Sequence, residues 1–431
     1  MTKGTNRIVF SPFARLEGDI RIEVQVLDGL VTEARASGKC YRGFETMLRG
    51  RDVRDAMVIT PRVCGQCSLA HLAASAAAIA SMSGVAVPHN GVLTTAVMLA
   101  AETVLNHFTH FYLSFAPDLS ANAPDDRGAG RFRPTAGISF RAAVEARREI
   151  LPLLGLFAGK WPNSLAIQPG GTTRTVDRSD LARATGVMLV LEDYLRERFL
   201  KGDLAEWMEL EDEAGLLAWL ENDRHADSDL GVFLAQAMER GLDRLGRGPG
   251  VYVACGGPSH GSAQRRASDS TEATAGPVPL DLVSEHVRWS WFEPSGMGEH
   301  PCRGRTIPAP ERTDAYSWIK APRLGGRPAE AGPLARMVRD GDPLIHDLLD
   351  KRGSGVLVRE LARLHEMLRL VAEIRSRLDS IKPGEPFLAT AKVPESGEGV
   401  GVIEAFRGMF GHWVSVKQGK IHEYQIITPT A

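Results

Sequence analysis

Two cysteines and a histidine with the spacing of a metal site lie in the stretch RVCGQCSLAH, as Cys64, Cys67 and His71. The spacing C-x2-C-x3-H lets two thiolates reach one metal ion, with the imidazole one helical turn further along the chain. Thiolate ligands favour nickel, zinc, copper or iron, so the ligand type narrows the choice of metal. The motif also fits a redox dithiol, half of a zinc ribbon, or two buried cysteines that act as small hydrophobic residues.

The other three cysteines, Cys40, Cys255 and Cys302, occur singly along the chain. The sequence therefore has no second CxxC pair, which weakens the zinc-ribbon interpretation. The odd total of five cysteines and an N-terminus without a signal-like segment predict reduced thiols in a cytoplasmic protein. Because no apolar stretch is long enough to span a membrane, we expect any membrane association to come through partner subunits.

Length and composition are those of a large folded protein. The chain has 431 residues, of which 43% are hydrophobic and 24% are charged, enough to bury a substantial core. Its 51 lysines and arginines nearly balance its 53 acidic residues, for a net charge of -2. This balance gives no electrostatic reason to expect nucleic acid or anionic lipid as a partner, and it suits a neutral substrate.

The cysteine pair is positioned by an N-terminal hairpin and two long helices. Residues 20–26 and 30–36 alternate as strands around a tight turn at Asp28-Gly29. Residues 68–82 and 92–113 are apolar-rich and predict a pair of core helices. The CxxC motif then lies at a helix start, where the helix dipole and free N–H groups lower the pKa of a thiol and favour the thiolate.

The rest of the chain predicts more helix and a second hairpin. Helices are expected at residues 140–157, 179–200, 230–245 and 333–349. Strands are expected at residues 413–416 and 421–427, around a turn at Gln418-Gly419. The polar segment 259–277 predicts a surface loop. A stripe with three- and four-residue spacing, typical of a core helix, comprises Leu357, Leu361, Leu364, Leu368, Val371, Leu378 and Ile381. These patterns predict a mainly helical α+β protein with small peripheral hairpins or sheets.

Eight motifs occur in a fixed order from Arg15 to Trp413: RLEG, YRGFE, RVCGQCSLAH, HFYLSFAPD, PGG, YSWIKAPR, GPLAR and EAFRGMFGHW. Together they resemble the large subunit of nickel-iron hydrogenases over nearly the whole chain. The resemblance implies a buried nickel-iron centre, with carbon monoxide and cyanide on the iron, held by four thiolates from two CxxC pairs. It makes Cys64 a terminal nickel ligand, Cys67 a bridging thiolate, and His71 a hydrogen-bond donor that tunes the bridging sulfur.

The chemistry that the resemblance implies is heterolytic splitting of dihydrogen, in which a base beside the metals accepts the proton. Glu17 matches a glutamate that relays protons away from the site, a role suited to a carboxyl whose pKa is raised by burial. Without the resemblance, an ion pair with Arg15 explains Glu17 equally well. Arg407 matches a guanidinium above the metals, and Asp118 matches a carboxylate that orients it through charge-assisted hydrogen bonds.

The resemblance also implies a secondary metal site for magnesium or ferrous iron. Glu45, in YRGFE, matches its carboxylate ligand, and a backbone carbonyl near Ile426 matches a second donor. Such oxygen donors suit hard cations. The family's third ligand is a histidine in a C-terminal segment DPCxxCxxH.

The sequence departs from the family pattern at three places. Phe406 stands before Arg407 where the family has proline, which alters the surroundings of the guanidinium. Gln66 stands where the family has an apolar residue on the gas path. The sequence contains no DPCxxCxxH, which supplies two thiolates and the histidine, so we expect the final metal-binding segment to be missing. The expected organisation is a single large-subunit-like domain over residues 1–431, with an N-terminal β-hairpin at about 7–38, a helical core at about 65–381 and a C-terminal β segment at about 400–428.

Three functions remain open from the sequence. The first is a catalytic subunit that cleaves or forms H2 and passes electrons to an iron-sulfur small subunit. The second is a maturation scaffold that carries an iron-dicyanide-carbonyl fragment on one CxxC, and the third is a hydrogen-sensing regulatory subunit. Too few cysteines remain for an iron-sulfur cluster in this chain, so we expect a small subunit on a large apolar interface near the N-terminal motifs, together with maturation proteins.

Overall fold

The computed structural model describes residues 6–13, 20–121, 128–255, 266–269, 272–276, 278–294 and 298–430. The α-helices in this part of the chain are α1 (Phe44–Leu48), α2 (Asp55–Ile59), α3 (Ser68–Ser83), α4 (His89–Thr109), α5 (Ala116–Ser120), α6 (Ile138–Ala158), α7 (Arg178–Tyr194), α8 (Leu204–Met208), α9 (Glu213–Glu221), α10 (Asp223–Ala226), α11 (Asp229–Glu239), α12 (Pro333–Asp340), α13 (Pro343–Arg352) and α14 (Val356–Ser380). Two π-helical segments, His110–Phe115 and Leu195–Phe199, continue α4 and α7.

The strands form small antiparallel sheets. They are β1 (Asn6–Phe10), β2 (Ile20–Leu27), β3 (Leu30–Gly38), β4 (Ile167–Gln168), β5 (Gly171–Thr172), β6 (Val251–Ala254), β7 (Arg266–Asp269), β8 (Glu272–Gly276), β9 (Val283–His286), β10 (Ala321–Leu324), β11 (Gly397–Ala405), β12 (Gly408–Lys417) and β13 (Lys420–Ile427). They pair in the orders β1-β2-β3, β4-β5, β6-β7-β8, β9-β10 and β11-β12-β13. The fold is therefore mainly helical α+β, as the sequence patterns predict.

Both predicted hairpins are confirmed. Strands β2 and β3 meet at the pair Leu27 and Leu30. The two turn residues between them, Asp28 and Gly29, both have positive φ. Strands β12 and β13 meet in the same way at Lys417 and Lys420. Turns of this kind follow the right-handed twist of the strands that they join. The C-terminal hairpin gains a third strand, β11, which lies on the other side of β12.

The centre of the molecule is a pair of long helices, α4 and α14, that pack on each other. The predicted apolar stripe lies on α14 and just beyond it, and all seven of its residues are buried, which confirms that it is core. Within the described part of the chain, none of the helices is both long enough and apolar enough to cross a membrane.

Three predicted elements differ from the structure. The helix expected over residues 333–349 is two helices. Gly341 adopts a left-handed φ of 72°, which ends α12. The side chain of Asp342 then accepts a hydrogen bond from the Ile345 N–H at the start of α13. The helix expected over 230–245 ends at Glu239, just before Gly241, which also has positive φ. Segment 259–277 lies largely outside the described residues, but its described parts are β7 and β8 rather than loop.

Close packing of α3 on β11 brings the cysteine motif to the C-terminal sheet. A Cβ atom on Gly401 would lie 2.0 Å from the Ala74 carbonyl oxygen, and one on Gly399 would lie 2.1 Å from the Ala78 carbonyl oxygen. Only glycine allows the strand to lie this close to the helix backbone. The N-terminal and C-terminal motifs, which are more than 300 residues apart in sequence, therefore meet in space.

Candidate metal centre

Cys64 and Cys67 lie in the turn that leads into α3. Cys67 is the N-cap residue of this helix and is buried, whereas Cys64 precedes it and is half-buried. Both are free thiols. The predicted position of the motif at a helix start is confirmed.

The pKa values of the two cysteine thiols are shifted in opposite directions. The hydrogen bond from Cys67 is the largest cause that lowers the pKa of Cys64 to about 6, and the charge of Arg407 lowers it further although burial opposes both. The same hydrogen bond, together with burial, raises the pKa of Cys67. The contacts therefore favour the thiolate at Cys64 over the thiolate at Cys67, and two adjacent cysteine sulfurs are a suitable donor set for a soft transition metal.

The guanidinium of Arg407 lies beside this pair. Its Nη1 atom is 3.7 Å from the Cys64 Sγ atom, and its Nη2 atom donates to the Gln66 Oε1 atom at 2.9 Å. Its central carbon also lies 4.3 Å from the centre of the Phe406 ring. The structure therefore brings Arg407 to Cys64 and Cys67, which lie more than 300 residues earlier in the sequence.

His71 belongs to a buried chain of hydrogen bonds below the cysteines. Its Nδ1 atom is 3.0 Å from the Nε2 atom of His412, whose Nδ1 atom is 2.9 Å from the Tyr424 hydroxyl. Burial lowers the pKa of His71 to about 3, so its ring is neutral at physiological pH. Sequence reasoning identified His71 but missed its two partners, which lie on β12 and β13.

A second group that sequence reasoning missed supports the cysteine turn from α4. The Glu102 carboxylate accepts hydrogen bonds from the backbone N–H groups of Leu69 and Ala70, at 2.9 and 3.1 Å, and from the Trp161 indole at 2.8 Å. Asn106 donates to the Gln66 carbonyl oxygen at 2.8 Å. Burial raises the pKa of Glu102 to about 8. These contacts satisfy first-turn N–H groups of α3 and hold the CxxC turn in place.

Glu45 lies in a second polar cluster, on the far side of β13. One of its oxygens accepts from the backbone N–H of Ile426 at 2.8 Å, and its carboxylate is 3.3 Å from the Lys320 ammonium. Lys320 also donates to Glu285 at 3.2 Å and to Gln425 at 2.6 Å. The buried Gln425 Nε2 atom has no hydrogen-bond partner among the described residues. Those residues contain no group of three His, Cys, Asp or Glu side chains arranged to hold a metal ion.

Two further residues, Glu17 and Asp118, were also predicted to belong to the site. Glu17 lies outside the described residues. Asp118 is exposed in α5, and its backbone carbonyl accepts from Arg240 at 3.4 Å. Its role in orienting Arg407 therefore stays a prediction.

The chain matches the family model described as nickel-dependent hydrogenase over residues 42–120 and 264–431, which is more than half of its length. The chain belongs to this nickel-dependent hydrogenase family. It is 30% identical over 473 residues to the periplasmic [NiFeSe] hydrogenase large subunit of Desulfomicrobium baculatum, covering 99% of this chain and 85% of that relative. It is 26% identical over 514 residues to the hydrogenase-2 large chain of Escherichia coli strain K12, covering 99% of this chain and 88% of that relative.

Solved hydrogenase structures share the fold. The reduced Ni-Fe-Se hydrogenase of D. vulgaris Hildenborough superposes with a TM-score of 0.83 at 28% identity, covering 99% of this chain and 90% of that one. The H2-activated [NiFeSe] hydrogenase of Dm. baculatum gives 0.82 at 27% identity, with the same coverage. The resemblance drawn from the motifs is confirmed, and this chain is a hydrogenase large subunit and an oxidoreductase.

Proposed function

We propose that this hydrogenase large subunit binds a nickel-iron centre at Cys64 and Cys67 and catalyses the cleavage or formation of H2. The observation that carries the proposal is the pair of hydrogen-bonded thiols with the Arg407 guanidinium 3.7 Å from Cys64. When bound, the centre supplies the heterolytic cleavage of dihydrogen. Carbon monoxide and cyanide on the iron complete the proposed cofactor.

Each residue near the cysteines has a proposed part in this reaction. Cys64 and Cys67 would hold the centre, and they would supply two of the four thiolates that such a centre takes. The Cys64 sulfur is the proposed proton acceptor, since a thiolate beside the metals can take up a proton. Glu17 relays the proton onward, and Arg407, oriented by Asp118, places a fixed positive charge beside the sulfur.

His71 holds a proton in a fixed place. When the Tyr424 hydroxyl donates to His412, the Nε2 proton of His412 points to His71 Nδ1, which leaves the His71 proton on Nε2. A neutral imidazole with this tautomer donates a hydrogen bond from the ring edge opposite His412. We propose that the acceptor is the Cys67 sulfur, whose donor strength this bond tunes.

A magnesium or ferrous ion is proposed at Glu45 and the carbonyl of Ile426. The support is the half-buried carboxylate of Glu45 together with the amide nitrogen of Gln425, which has no partner among the described residues and can donate to an oxygen ligand of the ion. Lys320, already placed between Glu45 and Glu285, balances the charge of both carboxylates.

The proposed partners are an iron-sulfur small subunit, as in a heterodimer that carries electrons away, and the maturation proteins that insert the metals. The proposed location is cytoplasmic, on the basis of reduced single cysteines. The Desulfomicrobium baculatum relative is named periplasmic. Cell fractionation with immunodetection of this chain tests the location, and recovery in the periplasmic fraction would contradict it.

Metal analysis and infrared spectroscopy of the chain purified with its small subunit test the proposed centre. We expect nickel, iron in excess of nickel because the clusters of the small subunit also contain iron, carbonyl and cyanide bands, and H2-dependent dye reduction. Cys67→Ser should reduce nickel and activity to background, whereas Cys302→Ser, which changes an exposed cysteine, should leave both unchanged. Iron with cyanide bands but no nickel would indicate a maturation scaffold instead, and wild-type protein without either metal would refute the proposal.

A further inference from the structure

The two residues at which the sequence departs from the family pattern around the cysteines contact the same side chain. Gln66 accepts a hydrogen bond from Arg407 Nη2 at 2.9 Å, and the ring of Phe406 lies under the guanidinium with its centre 4.3 Å from the central carbon. They are 340 positions apart in sequence. Both touch the cation that lies 3.7 Å from Cys64 Sγ.

We propose that Gln66 and Phe406 form a clamp that positions the Arg407 guanidinium over Cys64. A guanidinium is planar and donates only in its plane, so one acceptor at its edge and one aromatic face against it fix both its direction and its tilt. Gln66 supplies the edge contact and Phe406 the face contact. They are positioning residues that act through Arg407, and the clamp matters for hydrogen chemistry only as far as the proposed function of Arg407 holds.

The backbones on both sides of the clamp are fixed independently. The Gln66 carbonyl accepts from Asn106 at 2.8 Å, which holds the cysteine turn on α4. On the other side, Arg336 donates to the Ala405 carbonyl oxygen at 2.9 Å, directly before Phe406. The turn at Gly408 is also tightly packed, because a Cβ atom there would lie 2.6 Å from the Ala331 Cβ atom. These contacts hold the backbone beside each clamp residue in place, as a positioning device requires.

A purely structural role for the two residues makes a different prediction. Suppose that Phe406 only filled space in the core and that Gln66 only occupied a polar position. Any substitution that kept the fold would then leave the position of the Arg407 guanidinium unchanged. A clamp instead predicts opposite effects from Gln66→Leu, which removes the acceptor, and Gln66→Glu, which turns the hydrogen bond into an ion pair.

Labelling of arginines with phenylglyoxal, followed by peptide mass spectrometry, measures this directly. The full chain in complex with its small subunit is used, and the rate at Arg407 is compared with the rate at exposed Arg148 in the same sample. We expect Gln66→Leu to raise the relative rate at Arg407 about tenfold, since it removes one charge-assisted hydrogen bond. Phe406→Leu should raise it about threefold, and Gln66→Glu should lower it.

The matched control is Gln168→Leu, the same change at a glutamine remote in sequence from the clamp, which should leave the rate at Arg407 unchanged. Phe406→Tyr keeps the ring and should also keep the wild-type rate, so the face contact is tested even if the leucine variant does not fold. Equal rates in wild type, Gln66→Leu and Gln66→Glu would overturn the proposal. Because labelling does not depend on turnover, inactive protein with the expected labelling pattern would refute the proposed function and leave the clamp intact.

Discussion

The His71–His412–Tyr424 chain determines which nitrogen of each ring carries a proton. All three side chains are buried, so water cannot replace a missing partner. Burial also lowers the pKa of His412 well below its ordinary value, which keeps this ring neutral as well. When the Tyr424 hydroxyl donates to His412, it sets the tautomer of His71, which lies two hydrogen bonds away.

Tyr424→Phe should lower the free energy of unfolding by about 1–3 kcal/mol, because it leaves the buried His412 Nδ1 atom without a partner. Urea unfolding followed by far-UV circular dichroism measures the change. Tyr41→Phe is the matched control, since its hydroxyl bonds to Thr46 near the surface at 3.0 Å, where water can take over the bond. Equal losses of unfolding free energy in the two variants would show that the buried hydrogen bond of Tyr424 contributes no more to stability than a hydrogen bond near the surface.

At the residue scale, the sequence identified the residues that the structure brings together at the cysteine pair, but few of those that hold them in place. Cys64, Cys67 and Arg407 follow from spacing and motif. His412 lies in the motif EAFRGMFGHW, 341 residues after His71, but neither this motif nor RVCGQCSLAH indicates that the two side chains meet. Glu102 is embedded in an apolar helix, and a buried carboxylate in such a helix was the available signal.

One buried ionic network ties four elements together under the proposed site. Arg336 on α12 bonds to Glu366 on α14 at 2.6 Å and to Glu404 on β11 at 2.7 Å. Glu366 also meets the ring of His107 on α4 at 2.8 Å. Breaking such a network leaves an uncompensated buried charge, so the relative positions of these elements are strongly determined.

His107 makes this network sensitive to acid. Burial lowers the pKa of His107 to about 4, against an ordinary value of about 6.5 in the unfolded chain. Between these values the unfolded state binds one more proton than the folded state, so stability falls as pH decreases from about 6.5 to about 4, by up to roughly 3 kcal/mol. Above pH 7 the effect vanishes because both states are neutral.

Chemical unfolding between pH 4.5 and 7.5 checks this dependence. His107→Gln should flatten the decline on acidification, since glutamine keeps a donor for Glu366 but does not titrate in this range. His422→Gln, at an exposed histidine, should decline as the wild type does. A His107→Gln curve parallel to the wild-type curve would contradict the assignment.

At the element scale, periodicity predicted the long helices and both hairpins because each is determined by local pattern and turn residues. The break between α12 and α13 was missed although its signal was present. Gly341, Asp342 and Pro343 are a helix stop, an N-cap and a first-turn proline in succession. The close approach of β11 to α3 was not predictable, because the glycines that allow it do not identify the helix they face.

The whole molecule leaves an apolar surface at its N-terminal sheet. Strand β1 is an edge strand, and its side chains Ile8, Val9 and Phe10 are exposed on both faces, as is Phe13 beyond it. Leu30 and Val31 at the nearby hairpin turn are also exposed. Exposed aromatic and aliphatic groups on an edge strand are typical of a surface that another chain covers. This agrees with the predicted small-subunit interface near the N-terminal motifs.

Phe10→Asp should therefore weaken association with the small subunit by about tenfold or more, because a carboxylate at an apolar contact must be desolvated without a partner. Co-purification through a tag on the small subunit, quantified as the ratio of the two chains, measures the loss. Leu189→Asp on α7 is the control, since Leu189 is 49% exposed, as is Phe10. If Leu189→Asp reduced the ratio and Phe10→Asp did not, the interface would lie on the α7 surface. Hydrogen-dependent activity should fall in parallel with the chain ratio for Phe10→Asp, because electrons from the proposed centre would then lack a partner subunit to accept them.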